Sequence, residues 1–203
     1  MIEVMTPSTH PMTPGQIEKA TSQYRSLLLK HQAELGSEAA QLVLGQPEYV
    51  ADLVEVLRKR VRLLSDSISC RVSVDQTRSP IEAITATGCR KYIAPRVANT
   101  MPRGADGTVR LFLFKAKHPP GHPDLDKEYE VRGLVPANPY SLIALNENNP
   151  RFLDDYPNGT FWKGISGNRN HIAFCRSYGQ RCVFVGDGGI SPGSYWWIVG
   201  VMP

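Results

Sequence analysis

The spacing of apolar residues changes once along this chain, at Asp66, and that change limits what the chain can fold into. Before it, Ile17, Ala20, Tyr24, Leu27, Leu28, His31 and Leu35 recur at intervals of three and four, as do Val50, Leu53, Val54, Leu57, Val61 and Leu64. This is the period of a helix with one apolar face. After it, SISCRVSVD (67–75) and TVRLFLFKAK (108–117) alternate with the period of a strand. A helical segment followed by a strand-rich one belongs to the α+β class. The expected organisation is a helical N-terminal hairpin over residues 1–66, then a mixed domain over 67–203 with a small, irregular antiparallel sheet at its C-terminal end.

Local signals set the limits of the elements. Residues 1–12 are rich in Pro, Thr and Ser and read as a loose lead. Thr13-Pro14-Gly15-Gln16 has the form of a capped helix start, and Gly36 reads as a left-handed stop, so the first helix is predicted over 14–35. A short helix over Glu38–Leu44 ends at Gly45, and Pro47 opens a longer one. Ser79-Pro80-Ile81-Glu82 begins another, running to Gly88. In the strand 108–117, Val109, Leu111 and Leu113 fall on one face and Arg110, Phe112 and Phe114 on the other. Further helical turns are predicted near Leu125–Arg132 and Tyr140–Asn146.

The balance of 23 basic and 19 acidic residues, a net charge of +4, does not by itself call for nucleic acid. Arg58, Lys59, Arg60 and Arg62 do lie together at the end of a helix, where they complement its dipole or meet phosphate. A nucleic-acid or host-factor-binding protein of a phage or other mobile element is therefore the second functional reading. No apolar run reaches the roughly 20 residues that span a bilayer, and the N-terminus lacks the layout of a secretory leader. A cytoplasmic or virion-associated protein is expected, with no membrane partner. The amphipathic hairpin has a face able to pack on itself, on the rest of the chain or on a second copy, so homo-oligomers are also expected.

Catalytic signals are weak. The stretch HPPGHPDLD carries His118, His122, Asp124 and Asp126, but its prolines and glycine forbid the helix that would place two imidazoles on one side. It reads as a polar loop, and no metal and no cofactor are expected. Asp154-Asp155 and the Glu128/Glu130 pair read as surface carboxylates, and no nucleophile elbow or phosphate loop is present. No enzymatic activity is expected. Asn158-Gly159-Thr160 matches a glycosylation acceptor and, without a secretory signal, reads as a turn. Four cysteines without paired spacing read as reduced thiols.

The segment AFCRSYGQRCVFV is symmetric about Tyr178-Gly179, which predicts a hairpin with Cys175 opposite Cys182 and Phe174 opposite Val183. Val183 and Val185 are assigned to the buried face, and Cys182, Phe184 and Gly186 to the exposed one. A cross-strand disulfide is geometrically open, while a reducing compartment would keep both thiols free. Beyond the hairpin, GDGGISPGS runs directly into Tyr195-Trp196-Trp197-Ile198-Val199-Gly200. The first part orders poorly by itself and the second demands burial.

Three short patterns carry a resemblance over Glu147 to Pro203: Pro157-Asn158-Gly159-Thr160-Phe161-Trp162, Ala173-Phe174-Cys175-Arg176 and Trp196-Trp197-Ile198-Val199-Gly200. In this layout the chain resembles a bacterial and phage family without an assigned activity. The same layout is similar to the C-type-lectin-fold variable proteins of diversity-generating retroelements, whose last segment is rewritten by adenine-directed mutagenesis. Those proteins end on an aromatic-x-Gly-hydrophobic-Arg strand, and Met202 stands here where the Arg would fall. Mutagenised Asn-type codons do not yield Lys, Met, Gln, Glu or Trp, and Gly164–Tyr195 contains one such residue, Gln180.

The resemblance implies a C-type-lectin-like C-terminal part presenting a variable surface to a protein or small ligand. Phe174, Val183, Val185, Trp196, Trp197 and Ile198 would form the fixed frame. The ligand-binding residues expected on it are Cys175, Ser177, Tyr178, Gly179, Cys182, Phe184, Asp187, Ile190, Ser194 and Tyr195. Tyr178, Phe184 and Tyr195 would be the anchors, and Ser177, Asp187 and Ser194 the hydrogen-bonding groups.

Overall fold

The computed structural model describes residues 2–4, 11–104, 106–164, 167–187 and 196–203. The chain divides into two compact units, Thr6–Ser65 and Asp66–Pro203 together with Met1–Met5.

The first unit is helical. Helix α1 (Pro14–Lys30) starts on the predicted capping box: Thr13 Oγ1 accepts the Gln16 N–H and the Gln16 side chain accepts the Thr13 N–H. It stops at Lys30 and not at residue 35, because a separate turn of 3₁₀ helix occupies Gln32–Glu34. Gly36 is not a left-handed stop; at φ −58° and ψ 126° it is the N-cap of α2 (Ser37–Leu44). Helix α3 runs from Pro47 to Ser65. None of the residues of these three helices is buried. Leu27, Leu28, Val50, Leu53, Leu57 and Val61 are all exposed.

The second unit is built on a mixed sheet. Its strands are β1 (Ile2–Val4), β2 (Ile68–Val74), β3 (Arg90–Ile93), β4 (Gly107–Ala116), β5 (Val135–Pro136), β6 (Asn158–Lys163), β7 (Arg169–Ser177), β8 (Gln180–Gly186) and β9 (Trp196–Val201). The order is β1-β2-β4-β9-β6-β7-β8-β3, with β5 on β9. Two pairings, β3 with β8 and β6 with β9, are parallel. The sheet is therefore neither small nor purely antiparallel, as the sequence had suggested. Strand β1 also falls within the stretch read as a loose lead.

The two faces of the sheet are covered differently. Alternation in β2, β4, β7 and β8 sends Cys70, Leu111, Leu113, Phe174, Val183 and Val185 to one side, where they join a single core cluster. Helices α4 (Pro80–Ala86), α5 (Pro95–Ala98), α7 (Pro139–Asn148) and α8 (Phe152–Asp155) supply Ile84, Val97, Leu142, Leu145 and Leu153 to the same cluster. Helix α7 is buried continuously from Pro139 to Asn146, which explains why its sequence shows no amphipathic stripe. On the other side α6 (Leu125–Glu130) lays Tyr129 edge-on against Phe114 and Phe161, at centroid distances of 5.3 and 5.7 Å.

Asn158-Gly159-Thr160 is not a turn but the start of β6, and Asn158 and Thr160 are wholly buried. Asn158 exchanges amide hydrogen bonds with Asn146 of α7 at 2.8 and 3.2 Å. The Thr160 hydroxyl donates to the Ala137 carbonyl at 2.8 Å. Burial of these polar groups is sustained because each is paired.

Candidate functional site

The β7–β8 hairpin forms in the expected register, with Cys175 opposite Cys182 and Phe174 opposite Val183. Tyr178 and Gly179 form its two-residue turn, both with positive φ, 49° and 75°. A type I′ turn requires that backbone, and it suits Asn or Gly far better than Tyr. Tyr178 is nonetheless the residue there, and it is 100% exposed.

Register sorts the rest. Phe174, Val183 and Val185 point into the core, while Cys175, Cys182 and Phe184 share the opposite face. Phe184 and Cys175 are half-buried, as is Ser177, and Gly179 is exposed. Cys182 departs from expectation: it is 1% exposed and contributes nothing to a solvent-facing surface. Of the frame, Trp196 and Ile198 are buried, and Trp197 is half-buried, edge-on to Tyr156 at 5.3 Å. The expected ligand residues Ile190, Ser194 and Tyr195 lie outside the described residues.

Strand β3 adds what sequence reasoning missed. It pairs with β8 so that Arg90 lies beside Cys182 and Tyr92 beside Phe184. The rings of Tyr92 and Phe184 stack at 4.8 Å and 7°, and the Arg90 guanidinium sits 5.4 Å from the Tyr92 centroid. Tyr92 is 42% exposed. The result is an aromatic platform flanked by a cation, a surface able to hold flat or apolar groups. The only sequence signal was RKYI between Gly88 and Pro95, too short to show a period.

Charged groups at the rim are mostly paired. Arg96 of α5 holds the Asp187 carboxylate at 2.9 and 3.2 Å. Arg181 grips Asp154 of α8 through Nε and Nη2, and this pairing holds the Asp154 carboxyl below its ordinary range. Asp154 is thus the carboxylate partner of Arg181. Arg90, Arg176, Arg181 and Asp154 line one open cleft beside the hairpin.

Two thiols on this edge, Cys175 and Cys89, are raised by burial. All four cysteines are free. Burial, with Cys182 and Cys89 nearby, pushes the Cys175 thiol up to about 11, and burial also raises Cys89. Such thiols stay protonated at neutral pH.

On the neighbouring part of the same face, the loop between β4 and α6 lies over β6 and β7. Pro120 is buried against Gly159, and Gly121 (φ +88°) abuts the His171 ring. Burial depresses the His171 imidazole to about 4, opposed by the Asp187 carboxylate. In the polar loop itself, one ligand atom each from His118, His122 and Asp124 lie within 4.8 Å of one another. Asp126 is turned away and paired with Arg169.

Among the described residues no helix is long and apolar enough to cross a membrane. No family model, no curated protein and no solved structure matches the chain.

Proposed function

We propose that the protein is a non-catalytic binding protein that meets a protein or small ligand through the solvent face of the β3–β8–β7 edge. The observation that carries this reading is Tyr178. A non-glycine residue in the left-handed region costs about 1–2 kcal/mol, and here the ring gains no burial in return. Local strain without a structural benefit marks a residue kept for an external contact. The Tyr92–Phe184 stack, Arg90 and the half-exposed Cys175 and Ser177 extend the same surface.

In this reading the C-terminal part is a C-type-lectin-like scaffold of the kind used by retroelement target proteins, with variable positions on the outer face and fixed ones in the core. Burial of Phe174, Val183, Val185, Trp196 and Ile198 supports that division. A second copy of the chain covers the exposed apolar faces of α1 and α3.

Sequencing the coding segment for residues 164–203 through a clonal population, with its genomic neighbourhood, tests the reading. Expected is a reverse transcriptase gene beside a near-copy differing at adenines, with changes at Cys175, Ser177, Tyr178 and Phe184 and none at Phe174, Val183 or Val185. No such copy removes the retroelement assignment. Changes spread evenly over core and surface remove the display scaffold as well. Binding of sheared DNA with a steep salt dependence, lost on replacing exposed Arg58, Lys59, Arg60 and Arg62 by Ala, would favour the nucleic-acid reading instead.

A further inference from the structure

We propose that His118, His122 and Asp124 bind one divalent cation of the zinc class, a site independent of the display surface. The two imidazole rings lie parallel, 4.2 Å apart at 10°. Asp124 Oδ2 stands 3.8 Å from His118 Nε2 and 3.7 Å from His122 Nδ1. Donors sharing a tetrahedral ion at bonds of about 2.0–2.1 Å are ~3.3 Å apart. The two carboxylate–imidazole distances therefore need to close by only ~0.5 Å, and no pair, all lying within 4.8 Å of one another, by more than ~1.5 Å. The three side chains are 34%, 38% and 56% exposed, leaving both rings room to turn out of their stack so that His118 Nε2 and His122 Nδ1 face one ion.

The backbone beneath them is fixed while the tips are free. The His122 N–H donates to the Pro119 carbonyl, and the Leu125 N–H to that of His122, both at 3.2 Å. Pro120 and Leu125 are buried, tying the loop to β6 and to α6. The Asp124 N–H donates to His122 Nδ1 at 3.2 Å, and ligation through that nitrogen exchanges a neutral hydrogen bond for a stronger metal bond. The other nearby carboxylates are engaged, Asp126 by Arg169 and Glu128 by the Lys117 N–H.

Two imidazole nitrogens and one carboxylate oxygen select zinc, cobalt or nickel over magnesium and calcium, which prefer all-oxygen shells. Three protein ligands leave a coordination position for solvent. The bound ion would fasten the loop between β4 and α6 across His118, His122 and Asp124.

The test uses the full chain without a histidine tag, stripped with chelator. Zn²⁺ is titrated calorimetrically, and Co²⁺ is followed by its visible d–d absorption. Expected is one ion per chain, affinity lowered more than about 100-fold by His118→Ala or His122→Ala, and no change with His31→Ala. Asp124→Asn serves as a second variant, and each variant's metal-free urea midpoint should match that of the parent. Absence of Zn²⁺ binding, binding unchanged by the two loop variants, equal affinity for Mg²⁺, or a sulfur-to-cobalt charge-transfer band would each overturn the assignment.

Discussion

Replacing Gly159 by alanine tests how the outer loop is held on the sheet. A Cβ at this position would lie 2.2 Å from Pro120 Cγ, 3.0 Å from Pro120 Cβ and 3.1 Å from the Ile172 carbonyl oxygen. The proline ring cannot swing aside as a long side chain would, and the carbonyl belongs to the β6–β7 ladder. The loop must therefore lift or the strand must shift. Overpacking of this kind costs about 1–3 kcal/mol. For a chain of this size that is a melting-temperature drop of roughly 2–12 °C. Tryptophan fluorescence during urea unfolding is a clean probe, because Trp162, Trp196 and Trp197 are the chain's three tryptophans and all lie in the sheet unit. Pro120→Gly removes both ring contacts, so Gly159→Ala should cost less in that background, with a coupling of at least about 0.5 kcal/mol. Strictly additive effects would refute the reasoning, since they would mean that the Pro120 ring does not rest on Gly159.

Three further outcomes are expected. Burial lets the folded His171 imidazole take up its proton only near pH 4, whereas the unfolded one does so near 6.5, so unfolding binds protons as pH falls through that window. The His171 contribution is complete above about pH 6.5, declines by about 3 kcal/mol down to about pH 4, and changes no further below that; His171→Gln flattens this part of a urea-midpoint profile. The carboxylates held low by Arg181 (Asp154) and by Thr77 (Asp75) lose their contribution only below about pH 4, a separate window. Tyr178→Asn fits the left-handed turn and should raise the stability of the sheet unit by about 1 kcal/mol while removing partner binding, so a loss of stability would contradict the strain argument. Asn158→Ala breaks the amide exchange with Asn146 and the bond to the Tyr156 carbonyl; chemical denaturation should show a loss of about 2–4 kcal/mol, with Asn146→Ala adding less than its own separate cost.

Elements whose signals are local could be read from the residues alone. The Thr13 and Ser79 capping boxes are satisfied within three residues, and the apolar period of 47–65 needs no partner to be read. The β7–β8 hairpin was legible for the same reason: its register follows from a two-residue turn and the alternation on either side. Burial of Val183 and Val185 followed from that register. Whatever depends on which strands become neighbours was set by long-range pairing instead. Strand β3 is four residues long and takes its place by pairing with β8, about ninety positions away, and only that pairing sets Tyr92 upon Phe184. Cys182 is buried although alternation put it on the outer face, because alternation reports the side of the sheet and not what covers that side. Asn158 looked like a turn residue because its amide seeks hydrogen bonds, and the fold met that need with Asn146 of a buried helix. His118, His122 and Asp124 came together without a helix, since three prolines and a left-handed glycine shape the loop and its packing on Gly159 holds it. Local chemistry fixes the pieces and their faces, including the Tyr178 turn and the His118–Asp124 loop, whereas long-range pairing fixes which faces meet, as when β3 brings Tyr92 onto Phe184.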